Sequence, residues 1–245
     1  MDLPPFGFVT VHRDALAAGI AQEAEWMAGC ARSGRAAAHL WRAPVGLVVP
    51  RRITTLPGWS AAAADAVHGE VQVRASGGGL VPQGPGVWNL SLLWPTPSAV
   101  PSGTDAIYRA LCDALAGAFA RLDITASPQP VEGSFCDGRY NLAVRGRKLV
   151  GTAQAWRRVH GVPLVLAHAV VVVGADPVEL TARANAFEVA LGSGTRYRAD
   201  ALTSVAREAG HAFDEGRTLA VLAESFARVV PPREHPPEHT SHGPA

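Results

Sequence analysis

Residues 133–158 read GSFCDGRYNLAVRGRKLVGTAQAWRR. Two runs with strand character, RYNLAV (139–144) and KLVGTAQAWRR (148–158), flank Arg145-Gly146-Arg147, which predicts a β-hairpin. In a regular hairpin turning at Arg145-Gly146, Lys148 lies opposite about Ala143. Cys136 then falls roughly 20 Å further along extended chain, at ~3.3 Å per residue. The two residues meet only if the loop around Cys136 folds back over the sheet, a path that Gly133 and Gly138 permit.

Outward from this hairpin the pattern stays mixed. Val162 to Val173 is the longest apolar run; it contains His168 and is too short for a transmembrane helix, so it reads as a buried strand. Upstream, VWNLSLLWP (87–95) is a strand stopped by Pro95 and Pro97, and GEVQVRAS (69–76) alternates like a half-buried strand before Gly77-Gly78-Gly79. HLWRAPVGLVVP (39–50) reads as a short strand pair broken at Ala43-Pro44. Helical spacing appears over 14–32, with Asp14 near the start, and over 104–122, where Ile107, Leu111, Leu115, Ala118 and Leu122 share a face. Residues 177–229 predict two or three more helices, and the Pro- and His-rich 231–245 predicts a disordered tail. Antiparallel strands interrupted by helices, without βαβ alternation, indicate an α+β fold: a largely antiparallel or mixed sheet flanked by helices, in one domain over 1–230.

Composition narrows the function. A net charge of +1 gives no basic face for nucleic acid or an anionic membrane. The N-terminus lacks the basic-then-apolar layout of a secretion signal, so a cytoplasmic location with reduced thiols is expected. Three scattered cysteines are too few for a disulfide framework or a four-ligand zinc site. The nine histidines show no ligand spacing, and no metal is expected. His168, inside an apolar strand, reads as a core histidine with its hydrogen bonds satisfied.

The chemistry therefore rests on single residues. Cys30 and Cys112 sit in helical, apolar surroundings and read as structural. Cys136 lies in a glycine-flanked loop with little apolar sequence around it. A thiol attacks only as thiolate, with an ordinary pKa of about 8.5 that nearby cations lower, and Arg139 and Lys148 are candidates for that cation. Of the 22 basic residues only Lys148 is lysine. Either it does something a planar guanidinium cannot, or it has survived by chance on a solvated turn. Ser76-Gly77-Gly78-Gly79 allows close backbone approach to a ligand, yet it is no Walker A loop, because no Gly-Lys-Ser/Thr follows it.

These signals combine in a resemblance. VRASGGGLVPQGPGVWNLSL (73–92) resembles the Arg-x-Ser-Gly-Gly-Gly segment of the lipoate–protein ligase and octanoyltransferase superfamily. GSFCDGRYNLAVRGRKLVGTAQAWRR resembles that superfamily's lysine strand, and its Gly-Ser-aromatic-Cys opening is similar to the octanoyl-amidotransferase branch. The likeness spans about residues 10–190 and implies a biotin/lipoate ligase-like catalytic domain. It implies that Cys136 carries the acyl group as a thioester and that Lys148 binds the acyl carbonyl or shifts proton affinities. It further implies that Arg74, Ser76, Gly77, Gly78 and Gly79 shape the acyl pocket, with Gly151 and Thr152 on its facing wall and His168 at a position where the ligases carry histidine.

Val81-Pro82-Gln83 replaces the His-Asp of the ligases, and Asn141 replaces their Asp, which favours acyl transfer without ATP over adenylation. The implied activity is transfer of an octanoyl or lipoyl group to a carrier lysine, with no cofactor required. The implied partners are lipoyl-carrier domains, namely glycine-cleavage H protein or the acyltransferase subunits of 2-oxoacid dehydrogenases, and also acyl carrier protein as donor. Two alternatives stand beside it: an ATP-dependent lipoate–protein ligase in which Cys136 is incidental, and a non-catalytic binder of acyl carriers.

Overall fold

The structure, a computed structural model, describes residues 3–74, 77–97 and 103–227. Ser76 and the tail over 231–245 lie outside the described residues. In chain order the strands and helices are β1 (Thr10–Ala15), α1 (Gln22–Ser33), β2 (Ala37–Arg42), β3 (Gly46–Pro50), α2 (Trp59–Ala64), β4 (Glu70–Arg74), β5 (Val81–Gln83) and β6 (Val87–Pro95). There follow α3 (Thr104–Ala120), β7 (Ser127–Pro128), β8 (Leu142–Val144), β9 (Arg147–Val159), β10 (Val162–Val172), α4 (Pro177–Leu191), α5 (Val205–Ala209) and α6 (Glu215–Phe226). Among the described residues no helix is long and apolar enough to cross a membrane.

Two sheets organise these elements. The larger has seven strands in the order β1-β2-β6-β10-β9-β8-β7, and the smaller has three in the order β4-β3-β5. Both are mixed: β1 runs parallel to β2 and β3 parallel to β4, while the other pairings are antiparallel. The α+β expectation is met.

Strand β10 shows how the sequence becomes layers. Alternate side chains point to opposite faces of a sheet. Val165, Ala167, Ala169, Val171 and Val173 enter a core shared with Ile107, Leu111, Leu115 and Phe119 of α3 and with Leu222 and Phe226 of α6. Leu166, His168, Val170 and Val172 face the other way, into a cavity that the small sheet closes with Val48, Val81 and Gln83. A second core, with Leu47, Val49, Leu180, Ala184 and Phe187, fixes the small sheet against α4. Asp176 caps α4 by accepting from the Val178 amide, with Pro177 in the first turn.

Several expected boundaries move. Asp14 belongs to β1, and the first α-helix begins only at Gln22, because Thr10–Ala15 pairs in parallel with β2. The strand pair around Ala43-Pro44 is real as two strands, but β2 joins the large sheet and β3 the small one. The strand before the hairpin starts at Leu142, leaving Asn141 in the loop, where its side-chain amide donates to the Cys136 carbonyl at 3.3 Å.

The hairpin itself turns at Arg145-Gly146, both at positive φ, and Ala143 pairs with Lys148 as its spacing predicts. Leu142, however, pairs with Val150, so one residue of β9 is extra to the ladder. Such a bulge re-aims the side chains beside it. Residues three apart on a regular strand face opposite sides, yet Lys148 and Gly151 both line the cavity.

Candidate active site

The site is a cavity of about 760 Å³ between the two sheets, part of it open to solvent. Small residues on β9, Gly151, Ala153 and Ala155, give it depth, and Val48, Leu166, Val170 and Val172 make its walls apolar. Arg74, Cys136, Lys148, Gly151, Thr152 and His168, all expected from the sequence, border it together. Gly77, Gly78 and Gly79 are not on its wall; Gly78 and Gly79 stand against Cys136.

The glycine run explains how the Cys136 loop reaches its place. A β-carbon on Gly79 would sit 2.9 Å from the Cys136 nitrogen, and one on Gly78 would sit 2.7 Å from its sulfur. Glycine there lets backbone lie directly on backbone. Gly77 has open space around it and carries no such constraint. Cys136 itself holds φ 55, a left-handed conformation that a side chain makes costly and that functional loops often keep.

Lys148 is only 3% exposed. That excludes a solvated turn. Its ammonium donates to the Phe135 carbonyl at 2.7 Å and to the Cys136 carbonyl at 3.0 Å, and it lies 5.7 Å from the centre of the Phe135 ring. An ammonium has three hydrogens, so one remains for a ligand on the cavity side. Burial pulls its pKa down to about 8, with Cys136 and Asp137 opposing the shift and Arg74 adding to it. Gly151 makes room for this side chain, since a β-carbon there would stand 3.1 Å from Nζ.

The cation beside the thiol is not Arg139, which is exposed, bonds Asp105 at 3.0 Å and stacks on Tyr140. It is Arg74. The same Gly78 β-carbon that would touch the Cys136 sulfur would lie 2.8 Å from Nη2 of Arg74. The guanidinium is held by the Gly77 and Gly79 carbonyls at 2.9 and 2.6 Å. Burial lowers its proton affinity, and interaction with Cys136 restores part of it.

Glu23 escapes sequence reasoning altogether. It projects from α1 into the cavity wall and is buried, accepting from Ser91 Oγ at 2.7 Å and contacting His168 Nδ1 at 2.7 Å. Trp41 Nε1 donates to the same Ser91 hydroxyl at 2.9 Å. The only signal was a carboxylate on the apolar side of an amphipathic segment. Its partners come from β6 and β10, distant in sequence.

The family model of the lipoyl protein ligase A/B catalytic domain matches residues 30–226, and the chain belongs to that family. Among its relatives, an uncharacterised protein of Cupriavidus necator is 42% identical over 246 residues, covering 92% of this chain and 97% of that one. An octanoyl-[GcvH]:protein N-octanoyltransferase of Kyrpidia tusciae is 41% identical over 113 residues, which is 44% of this chain and 38% of that enzyme's length. The fold is similar to that of lipoate-protein ligase A bound with ATP, with a TM-score of 0.63 at 14% identity, covering 93% of this chain and 85% of that one. It is equally similar to a putative lipoate protein ligase of Thermoplasma acidophilum with bound lipoic acid, with a TM-score of 0.62 at 14% identity over 93% of this chain and 84% of that one.

Proposed function

We propose that this protein moves an octanoyl or lipoyl group onto a lysine of a lipoyl-carrier domain through a thioester on Cys136. The observation that carries the reading is the contact between Cys136 and Lys148 at an apolar cavity, with one ammonium hydrogen left for a ligand. The thiolate attacks the acyl carbonyl of the donor, and the oxyanion that forms is met by the Lys148 ammonium. The donor's amine or thiol takes a proton from solvent at the open side of the cavity and leaves, giving the thioester. The ε-amine of the acceptor lysine then attacks the thioester and gives up a proton to solvent, the Cys136 sulfur departs as thiolate, and an amide results. Arg74 stands beside the sulfur, and the cavity takes the hydrocarbon chain at about 0.8 kcal/mol per buried CH₂. No ATP enters either half-reaction.

The named N-octanoyltransferase of Kyrpidia tusciae supports this reading of activity and partner, through a match over part of its length. A carrier domain, glycine-cleavage H protein or a 2-oxoacid dehydrogenase subunit, is the partner proposed. The test is intact-protein mass spectrometry after mixing with octanoylated or lipoylated carrier, without ATP. One acyl adduct is expected, and it should vanish in Cys136→Ser. Transfer that survives in Cys136→Ser and demands ATP would replace this reading with the ligase. Carrier binding without adduct or transfer would leave a binding protein.

A further inference from the structure

Two of the three Lys148 ammonium hydrogens go to the Phe135 and Cys136 carbonyls, at 2.7 and 3.0 Å. Both bonds survive the loss of one proton, because a neutral amine still has two hydrogens. The lone pair then occupies the place of the third hydrogen, on the cavity side. In acyl transfer that hydrogen meets the acyl carbonyl, so the lone pair is aimed at the same group. A thioester on Cys136 hangs this carbonyl on the sulfur of the same residue whose backbone oxygen holds the amine.

The neutral amine is also within reach of mild conditions. Burial brings its pKa down to about 8; Cys136 and Asp137 of the loop oppose that shift, and Arg74 of β4 adds to it. An acylated Cys136 carries no charge. One of the two groups that favour the ammonium is therefore lost as soon as the thioester forms. Arginine, which stays protonated, supplies every other Lys or Arg position of the chain, so Lys148 has no rival among side-chain amines.

We propose, on the acyl-transfer reading above, that Lys148 is a self-acylation site: its neutral amine takes the acyl group from the Cys136 thioester, and the protein inactivates itself. The Lys148 nitrogen bonds to the thioester carbon, and the carbon–sulfur bond breaks. Sulfur leaves with the bonding pair and receives the proton that the nitrogen sheds. The products are an amide on Lys148 and a free Cys136 thiol. An amide nitrogen has no positive charge and a single hydrogen, so the bonds to both carbonyls cannot persist and the oxyanion loses its partner.

The test forms the thioester at about pH 7 with octanoyl-N-acetylcysteamine, a soluble thioester, and then removes the excess donor. One portion stays at that pH and another is raised to about pH 9, and intact mass is read before and after hydroxylamine, which cleaves thioesters and spares amides. A hydroxylamine-resistant adduct should appear about tenfold faster at the higher pH, following the fraction of neutral amine. Its rate should not depend on protein concentration, and peptide mapping should place it on Lys148. Thioester that only hydrolyses, a resistant adduct on the N-terminal amine, or a rate that rises with protein concentration overturns the proposal and leaves the acyl-transfer reading standing. Failure to form any thioester at the lower pH overturns both.

Discussion

The Lys148 ammonium reaches the carbonyl of Cys136 across 3.0 Å, although twelve residues separate them along the chain. Two local departures from regular structure make this possible. The bulge in β9 places Lys148 on the cavity face, and the glycine run lets the Cys136 loop fold back against Gly78 and Gly79. Each departure can be tested by substitution.

Lys148→Arg keeps the charge but places a wide planar fork where Nζ already stands 3.1 Å from a β-carbon built on Gly151. Transfer should fall by about a hundredfold or more, in a thioester-formation assay. Because the site is buried and not on the surface, overpacking should also cost about 1–3 kcal/mol in urea denaturation. A fully active, equally stable variant would remove the lysine from the mechanism.

Alanine at the three glycines should separate their roles. Gly77→Ala meets open space and should retain near-normal acylation of Cys136. Gly79→Ala drives a β-carbon into the Cys136 backbone and Gly78→Ala into its sulfur at positive φ, so both should slow acylation at least tenfold. Rates of adduct formation by mass spectrometry decide this. Equal behaviour of all three variants would refute the close-approach argument.

Stability should depend on pH through Lys148. Its folded pKa of about 8 is below the ordinary 10.5, so below pH 8 both states hold the proton and the cost of burying the charge is present in full. Between about 8 and 10.5 the folded state releases its proton first and the unfolded chain binds more, so stability rises with pH, by at most about 3 kcal/mol. Urea midpoints at pH 7.5 and 9.5 should therefore show wild type gaining on Lys148→Met. Transfer should decline over the same window as the ammonium is lost.

Glu208 should prove a structural hub. Its buried carboxylate takes Arg147 at 2.7 Å, Thr203 at 2.5 Å and also Arg145, tying both ends of the hairpin turn to α5. Glu208→Ala strands a partly buried guanidinium and should cost about 3 kcal/mol. A melting temperature close to wild type would contradict this.

The α+β class, the hairpin at Arg145-Gly146 with Ala143 opposite Lys148 and the buried strand around His168 are legible in the sequence, and Cys136 and Lys148 stand out there as candidates. These are local signals: period-two alternation, turn residues and an isolated lysine in an arginine-rich chain. The rest depends on contacts between segments far apart in the chain. The extra residue opposite Leu142 leaves no mark in β9's composition, because a bulge is a property of two strands in register. Glu23 meets Ser91 and His168 only because α1 packs across β6 and β10, bringing together groups 68 and 145 residues apart. Arg74 stands beside the thiol, in place of the nearer Arg139, because sheet packing and not chain distance sets which cation is buried against Cys136.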